Sequence, residues 1–200
     1  MKLLAISYPD SFNDEHVIIN GLFNEGLEIL HLRKPDWSRG DVVKLLDMID
    51  AKFHNRIVLH SHYELCGVYD LMGIHFTRKT MHLIDLYKYS PIHKSISCHS
   101  FEEIDRYKRF MDYCFISPVF DSISKQGYKS NINLNVLEVY AQRSQIVALG
   151  GIDVTRLRDL QDINLYGAAM LGYLWNSESV IDAFVKAKQL CFSELNSDSI

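Results

Sequence analysis

Ile146–Gly172 reads IVALGGIDVTRLRDLQDINLYGAAMLG. It opens and closes on short runs, IVAL and GAAML, that are apolar at every position. A strand with one solvated face alternates apolar and polar residues; a strand covered on both faces does not, and such strands belong to parallel sheets under helices. The spacing predicts a strand over Ile146–Gly150, a helix from Thr155 to about Ile163, and a strand over Tyr166–Leu171. That is one strand–helix–strand unit of a parallel sheet.

The same unit recurs outward to both ends. Strands are expected at Leu3–Tyr8, Leu27–Leu32, Arg56–His60, Met72–Phe76, Lys94–His99 and Tyr113–Phe120. Between them lie helical stretches at Glu15–Asn24, over VVKLLDMIDAKF, near Tyr63–Leu71 and Met81–Tyr89, over FEEIDRYKRF, and from Asn133 to Gln142, with a closing helix at Val180–Leu195. Ser38 and Ser100 stand where helix N-caps are expected. Eight units in 200 residues, at roughly 25 residues each, favour a closed (β/α)8 TIM barrel over a doubly wound open sheet. No Pro-rich, Ser-rich or low-complexity stretch marks a linker, so one domain over residues 1–200 is expected.

Composition narrows the function classes. The formal net charge is −4 and the pI about 6.1, which gives no electrostatic support to nucleic-acid binding. The start, MKLLAISYPDSF, is too short an apolar run for a signal segment or a membrane span, so a cytoplasmic protein without a membrane partner is expected. Cys66, Cys98, Cys114 and Cys191 have no CxxC spacing and read as reduced, mostly buried thiols.

In such a barrel, chemistry sits where strands run into the loops that follow them. His31 and Arg33 end the second strand, His60 and His62 the third, His75 the fourth, and Ser97 and His99 the fifth. His82 lies further out, and Lys125 is carried by the loop after the sixth strand. Each histidine alone has an ordinary structural reading; their clustering marks the rim. Adjacent strands lie about 4.8 Å apart, so His31 and His60 can share the mouth, with at least one ring neutral near pH 7. Gly150-Gly151 and Gly172-Tyr173 read either as turns or as backbone amides free to approach a phosphate. Arg33 and Lys125 add cations for the same anions, unless they are solvated surface.

Six segments together resemble the thiamine phosphate synthase and TenI family: HLRK, GIHF, SISCHS, DYCFISPVF followed by SK, IVALGGI, and GAAMLGYL. They occur in the right order over nearly the whole chain. The resemblance implies a compact barrel enzyme of thiamine biosynthesis, a transferase acting on small phosphorylated substrates. It would join a hydroxymethylpyrimidine diphosphate to a thiazole phosphate and release diphosphate. It further implies that Arg33 and Lys125 hold the diphosphate, that Ser97 and His99 lie beside the pyrimidine, and that Gly151 and Gly172 bind the thiazole phosphate.

The family's Mg²⁺ rests on an Asn-Asp pair ending strand three and an acidic residue after strand four. Here those places read His60-Ser61 and Arg78-Lys79-Thr80, and His31 stands for a glutamine. Activity is therefore expected to tolerate a chelator and to depend on His60. Asp85 or Asp121 are the acids that would restore the metal. The alternatives are a metal-independent thiazole phosphate tautomerase, although Pro118 stands where that branch has histidine, and a non-catalytic thiazole phosphate binder. Outside the family remain a His-ligated metallohydrolase and an interaction protein. A homo-oligomer is compatible with the sequence.

Overall fold

The computed structural model describes residues 1–121, 130 and 132–192. Its strands are β1 (Lys2–Ile6), β2 (Ile29–Leu32), β3 (Ile57–Leu59), β4 (Gly73–Phe76), β5 (His93–Cys98), β6 (Tyr113–Ile116), β7 (Ile146–Leu149) and β8 (Gly167–Met170). Each is parallel to its neighbours, and β8 returns to β1, pairing Lys2 with Gly167 and Ala5 with Met170, so the sheet closes into the expected barrel. Around it run α1 (Glu15–Asn24), α2 (Arg39–Met48), α3 (Leu65–Val68), α4 (Ile84–Tyr87), α5 (Phe101–Tyr107), α6 (Leu134–Ala141), α7 (Val154–Asp159), α8 (Gly172–Trp175) and α9 (Val180–Phe192).

Alternation along each strand sorts the side chains into two layers. Outward residues such as Leu3, Leu30, Leu59, Ile74, Ile96, Ile116 and Ala148 pack under the helices in one continuous core. Inward residues Leu4, Ile6, Ile29, Val58, Tyr113, Phe115, Val147 and Ala169 fill a smaller second core inside the barrel. Local caps set the helix starts: the Ser38 hydroxyl accepts from the Asp41 amide at 3.2 Å, and that of Ser100 from the Glu103 amide at 3.3 Å. The expected helix over VVKLLDMIDAKF breaks, because Asp50 caps Lys52 and starts a separate 3₁₀ turn, Ala51–Arg56. The sixth strand ends at Ile116, short of Phe120, because Pro118 brings no N–H to the ladder. The amides of Val119 and Phe120 donate instead to Leu149 and Gly150. Cys66, Cys98 and Cys114 are buried free thiols; Cys191 is half-buried. Among the described residues, no helix is long and apolar enough to cross a membrane.

One ion pair fastens the first loop to the barrel mouth. Lys34, just past β2, is 1% exposed, and its ammonium reaches both Glu15 oxygens at 2.6 and 2.8 Å. It also donates to the Tyr8 and Asp10 carbonyls at 2.7 and 2.8 Å. Burial opposes both charges, pushing Glu15 up and Lys34 down, and the contact between them offsets this in part. Removing one partner leaves a buried charge without compensation, so Glu15→Gln is expected to cost about 3–5 kcal/mol. Urea denaturation at pH 7 checks this; a midpoint like that of the parent protein would mean that Lys34 finds water on its own.

Candidate active site

Register carries the strand-end residues of β2 to β5 into one cluster. His31 lies level with Val58 of β3, and His75 level with Ser95 of β5, all on inward positions. His60 follows β3 one pleat above Val58. His31 Nδ1 lies 3.0 Å from His60 Nε2, and the His60 ring stacks on His75 with centroids 4.2 Å apart and planes at 25°. His31 Nε2 lies 2.7 Å from the Tyr113 hydroxyl. His75 is held at both ends, by Ser95 at 2.8 Å and by Ser97 at 2.8 Å. His31 and His75 are almost wholly buried, and His60 is half-buried.

Burial is the main cause that pushes all three imidazoles below their ordinary value, His31 and His60 far below it and His75 to about 3. Repulsion from neighbouring rings adds to it for His31 and His60, and Arg33 adds to it for His60 and His75. For His31 and His60 this direction agrees with the expectation that at least one of the two rings is neutral near pH 7.

Above this floor stands the rim. Arg33 is held through its backbone: its amide donates to the Ser7 hydroxyl at 2.8 Å, and Ser7, fully buried, donates back to the Arg33 carbonyl at 3.1 Å. The Arg33 guanidinium is half-buried and, among the described residues, meets no ion-pair or hydrogen-bond partner. His62 takes a left-handed backbone (φ 53°) and donates Nε2–H to the Trp37 carbonyl at 3.0 Å, tying two rim loops together. His99 is exposed, and its Nδ1–H donates to the Ser117 carbonyl at 3.0 Å. Lys125 lies outside the described residues. So His31, His60, His75 and Ser97 come together below Arg33, and His62 and His99 serve neighbouring loops.

Gly150 and Gly151 both have positive φ, 96° and 65°. A Cβ on Gly151 would sit 2.6 Å from the Asp121 carbonyl oxygen, so glycine is required there for the β6 and β7 loops to pack. Gly172 and Tyr173 open α8, whose first bonds start with Leu174 and Trp175 donating to Leu171. Trp175 Nε1–H donates to the Ile6 carbonyl at 2.7 Å and pins this short helix to β1.

His31, His60 and His75 are the one set among the described residues whose ligand atoms lie within 4.8 Å of one another. Their nitrogens are already engaged with one another or with hydroxyls, except His60 Nδ1, which is buried without a partner. The stacked His60 and His75 rings point side by side. Mg²⁺ takes hard oxygen ligands, and this donor set does not fit it. Glu103 is engaged with the His99 amide at 2.6 Å and with Arg78 at 3.7 Å. Asp121 accepts from the Ser130 amide at 2.6 Å, and Asp85 pairs with Lys88 at 2.9 Å.

Sequence reading missed Ser7, Ser95 and Tyr113. A serine inside a strand and a tyrosine at a strand start carry no local signal; only the inward phase of β5 and β6 marks the last two.

A family model described as thiamine monophosphate synthase matches residues 3–174. The chain belongs to the thiamine monophosphate synthase family. A solved thiamine phosphate pyrophosphorylase from Bacteroides thetaiotaomicron is 36% identical, with a TM-score of 0.82 over 97% of this chain and 99% of that one. The thiamine-phosphate synthase of Latilactobacillus sakei is 24% identical over 154 residues, 74% of this chain and 69% of that protein. A thiamine phosphate pyrophosphorylase from Pyrococcus furiosus, 16% identical with a TM-score of 0.80 over 95% of both chains, shares the fold. The resemblance read from HLRK, SISCHS and IVALGGI is thereby shown.

The neutral floor has a consequence for stability in this member of the thiamine monophosphate synthase family. An imidazole whose folded value is depressed takes up its proton only after unfolding. Its share of stability is complete above the ordinary value of 6.5 and is lost as pH falls from there toward about 3, where His75 itself protonates. Between pH 6.5 and 5.5 each ring should cost about 1 kcal/mol, roughly 3 kcal/mol for the three. Urea midpoints across this interval, above the carboxylate range, check it. The slope should shrink by about a third in His75→Gln, and a flat midpoint would contradict neutral burial.

Proposed function

We propose that this chain, as one domain over residues 1–200, is a transferase of thiamine biosynthesis that joins hydroxymethylpyrimidine diphosphate to thiazole phosphate and releases diphosphate. The observation that carries the reading is Arg33, a half-buried guanidinium without a protein partner among the described residues, held over a neutral floor in a barrel of this family. A planar guanidinium grips phosphate oxygens in a bidentate way. The neutral imidazoles below bring no competing anion.

In the proposed reaction the bond from the pyrimidine methylene carbon to diphosphate breaks, its electron pair leaves with the diphosphate, and the thiazole nitrogen supplies the pair of the new C–N bond. Arg33, with Lys125, draws the departing negative charge, and Ser97 and the neighbouring imidazoles orient the pyrimidine. The amides around Gly150, Gly151, Gly172 and Tyr173 hold the thiazole phosphate, as backbone N–H groups at the seventh and eighth strands of such barrels do. Substrates are small phosphorylated molecules, with no role for nucleic acid or membrane, in the cytoplasm. No step is routed through Mg²⁺, because the described donors do not fit it.

The test is formation of thiamine phosphate and diphosphate by the purified full chain from the two substrates, with Mg²⁺ and with chelator. Product is expected in both arms. Arg33→Lys should lower kcat/KM at least tenfold, about 1.4 kcal/mol, because the planar fork is lost. Full activity in that variant removes the diphosphate assignment, and absence of product in every arm removes the reaction.

A further inference from the structure

Three side chains form a short hydrogen-bonded chain from the rim into the barrel. His60 Nε2 lies 3.0 Å from His31 Nδ1, and His31 Nε2 lies 2.7 Å from the Tyr113 hydroxyl. Burial holds both imidazoles well below their ordinary value, so near neutral pH each carries one proton and one lone pair. The phenol carries one proton. Three protons serve two hydrogen bonds, and one proton is left over at an end of the chain. If the chain runs inward, His60 donates to His31, His31 donates to Tyr113, and the Tyr113 O–H is left over. If it runs outward, Tyr113 donates to His31, His31 donates Nδ1–H to His60, and His60 Nδ1–H is left over.

Burial and bond length both favour the outward direction. Tyr113 is 1% exposed, and among the described residues its hydroxyl makes one hydrogen bond, to His31. A proton left over there would be a donor shut off from acceptor and water, which is costly. His60 is the one member of the three that is partly exposed. Hydroxyl donors also make shorter bonds than N–H donors; 2.7 Å suits an O–H from Tyr113, and 3.0 Å suits an N–H between the rings.

His60 Nδ1 is buried and meets no partner. Carrying the spare proton, it needs an acceptor that the described residues do not supply. Arg33 is its neighbour across the strand ends: Leu32 pairs with Leu59, and the His60 amide donates to the Leu32 carbonyl at 3.2 Å. The Arg33 guanidinium likewise lacks a partner among the described residues. We propose that His60 is a ligand-binding residue whose Nδ1–H, held in that form by Tyr113 through His31, donates to the same anion that Arg33 grips. The ligand atom facing His60 is then an acceptor, an anionic oxygen; an amino group there is disfavoured. That the anion is diphosphate rests on the reaction proposed above, whereas the place of the proton is a property of the free chain.

Long-range proton–nitrogen correlation spectra of the full chain, labelled with ¹⁵N-histidine at pH 7.5, read the tautomers, and single-histidine variants assign the signals. His31 and His60 are expected as Nδ1–H forms without ligand. An Nε2–H form of either, or a mixture, overturns the direction. Inorganic diphosphate, added alone, should shift the His60 Nδ1 signal. Its Kd, read by calorimetry, should rise about tenfold in His60→Leu, the scale of one hydrogen bond to a charged group. Binding that leaves His60 Nδ1 unmoved, or no binding at all, overturns the contact; the reaction itself is decided separately by formation of thiamine phosphate. In Tyr113→Phe the His31 and His60 signals should become mixtures of tautomers, while Tyr140→Phe, on α6, leaves both unchanged. Pure Nδ1–H signals in Tyr113→Phe refute the role of Tyr113. Should that variant fail to fold, the parent spectra with and without diphosphate still decide the direction and the contact.

Discussion

Closing eight parallel strands leaves room inside for few side chains, and in this protein the upper part of that space is given to imidazoles. His31 and His75 are fully buried and His60 partly so, with ring centroids 4.2–5.2 Å apart. Among the described residues, no carboxylate joins the cluster to balance a charge. The cluster exists only if the rings are neutral and their nitrogens are paired. That requirement accounts for Tyr113, Ser95 and Ser97: each supplies an oxygen where a nitrogen would otherwise be orphaned.

The mouth is organised on the same terms. Arg33 holds its place through its backbone, gripped in both directions by Ser7, and its guanidinium meets no hydrogen-bond or ion-pair partner among the described residues. Its neighbour Lys34 points away into a buried contact with Glu15 and locks the loop after β1. Two adjacent residues just past one strand thus differ: the charge of Lys34 is consumed by a buried ion pair, and that of Arg33 meets no partner among the described residues. His62 and His99, both read from sequence as rim residues, each bond a loop carbonyl, that of Trp37 and that of Ser117.

Membership in the thiamine monophosphate synthase family sits beside a change in the chemistry of the floor. Where the sequence resemblance implies an amide and carboxylates, this chain has His31, His60 and the basic Arg78-Lys79. The two sets are not interchangeable: oxygen donors suit a hard cation, whereas neutral nitrogens and hydroxyls suit hydrogen bonding. The replacement is also coherent, because the imidazoles satisfy one another and the hydroxyls around them.

What sequence alone determined was the sequence of units. Apolar runs such as IVAL and GAAML, the caps at Ser38 and Ser100, and eight repeats in order were enough for a closed parallel barrel, because burial on both faces leaves its mark residue by residue. The strand-end rule also located Arg33, His31, His60, His75 and Ser97. Tertiary structure alone decided which of them meet. His31 and Tyr113 lie 82 positions apart, and their contact arises from inward phase and barrel closure, which no local pattern encodes. Nor does any local pattern separate His75, whose nitrogens are both engaged inside the barrel, from His99, which turns to a loop carbonyl. Side-chain direction at a strand end is set by the neighbouring strand's register, a property of the closed sheet.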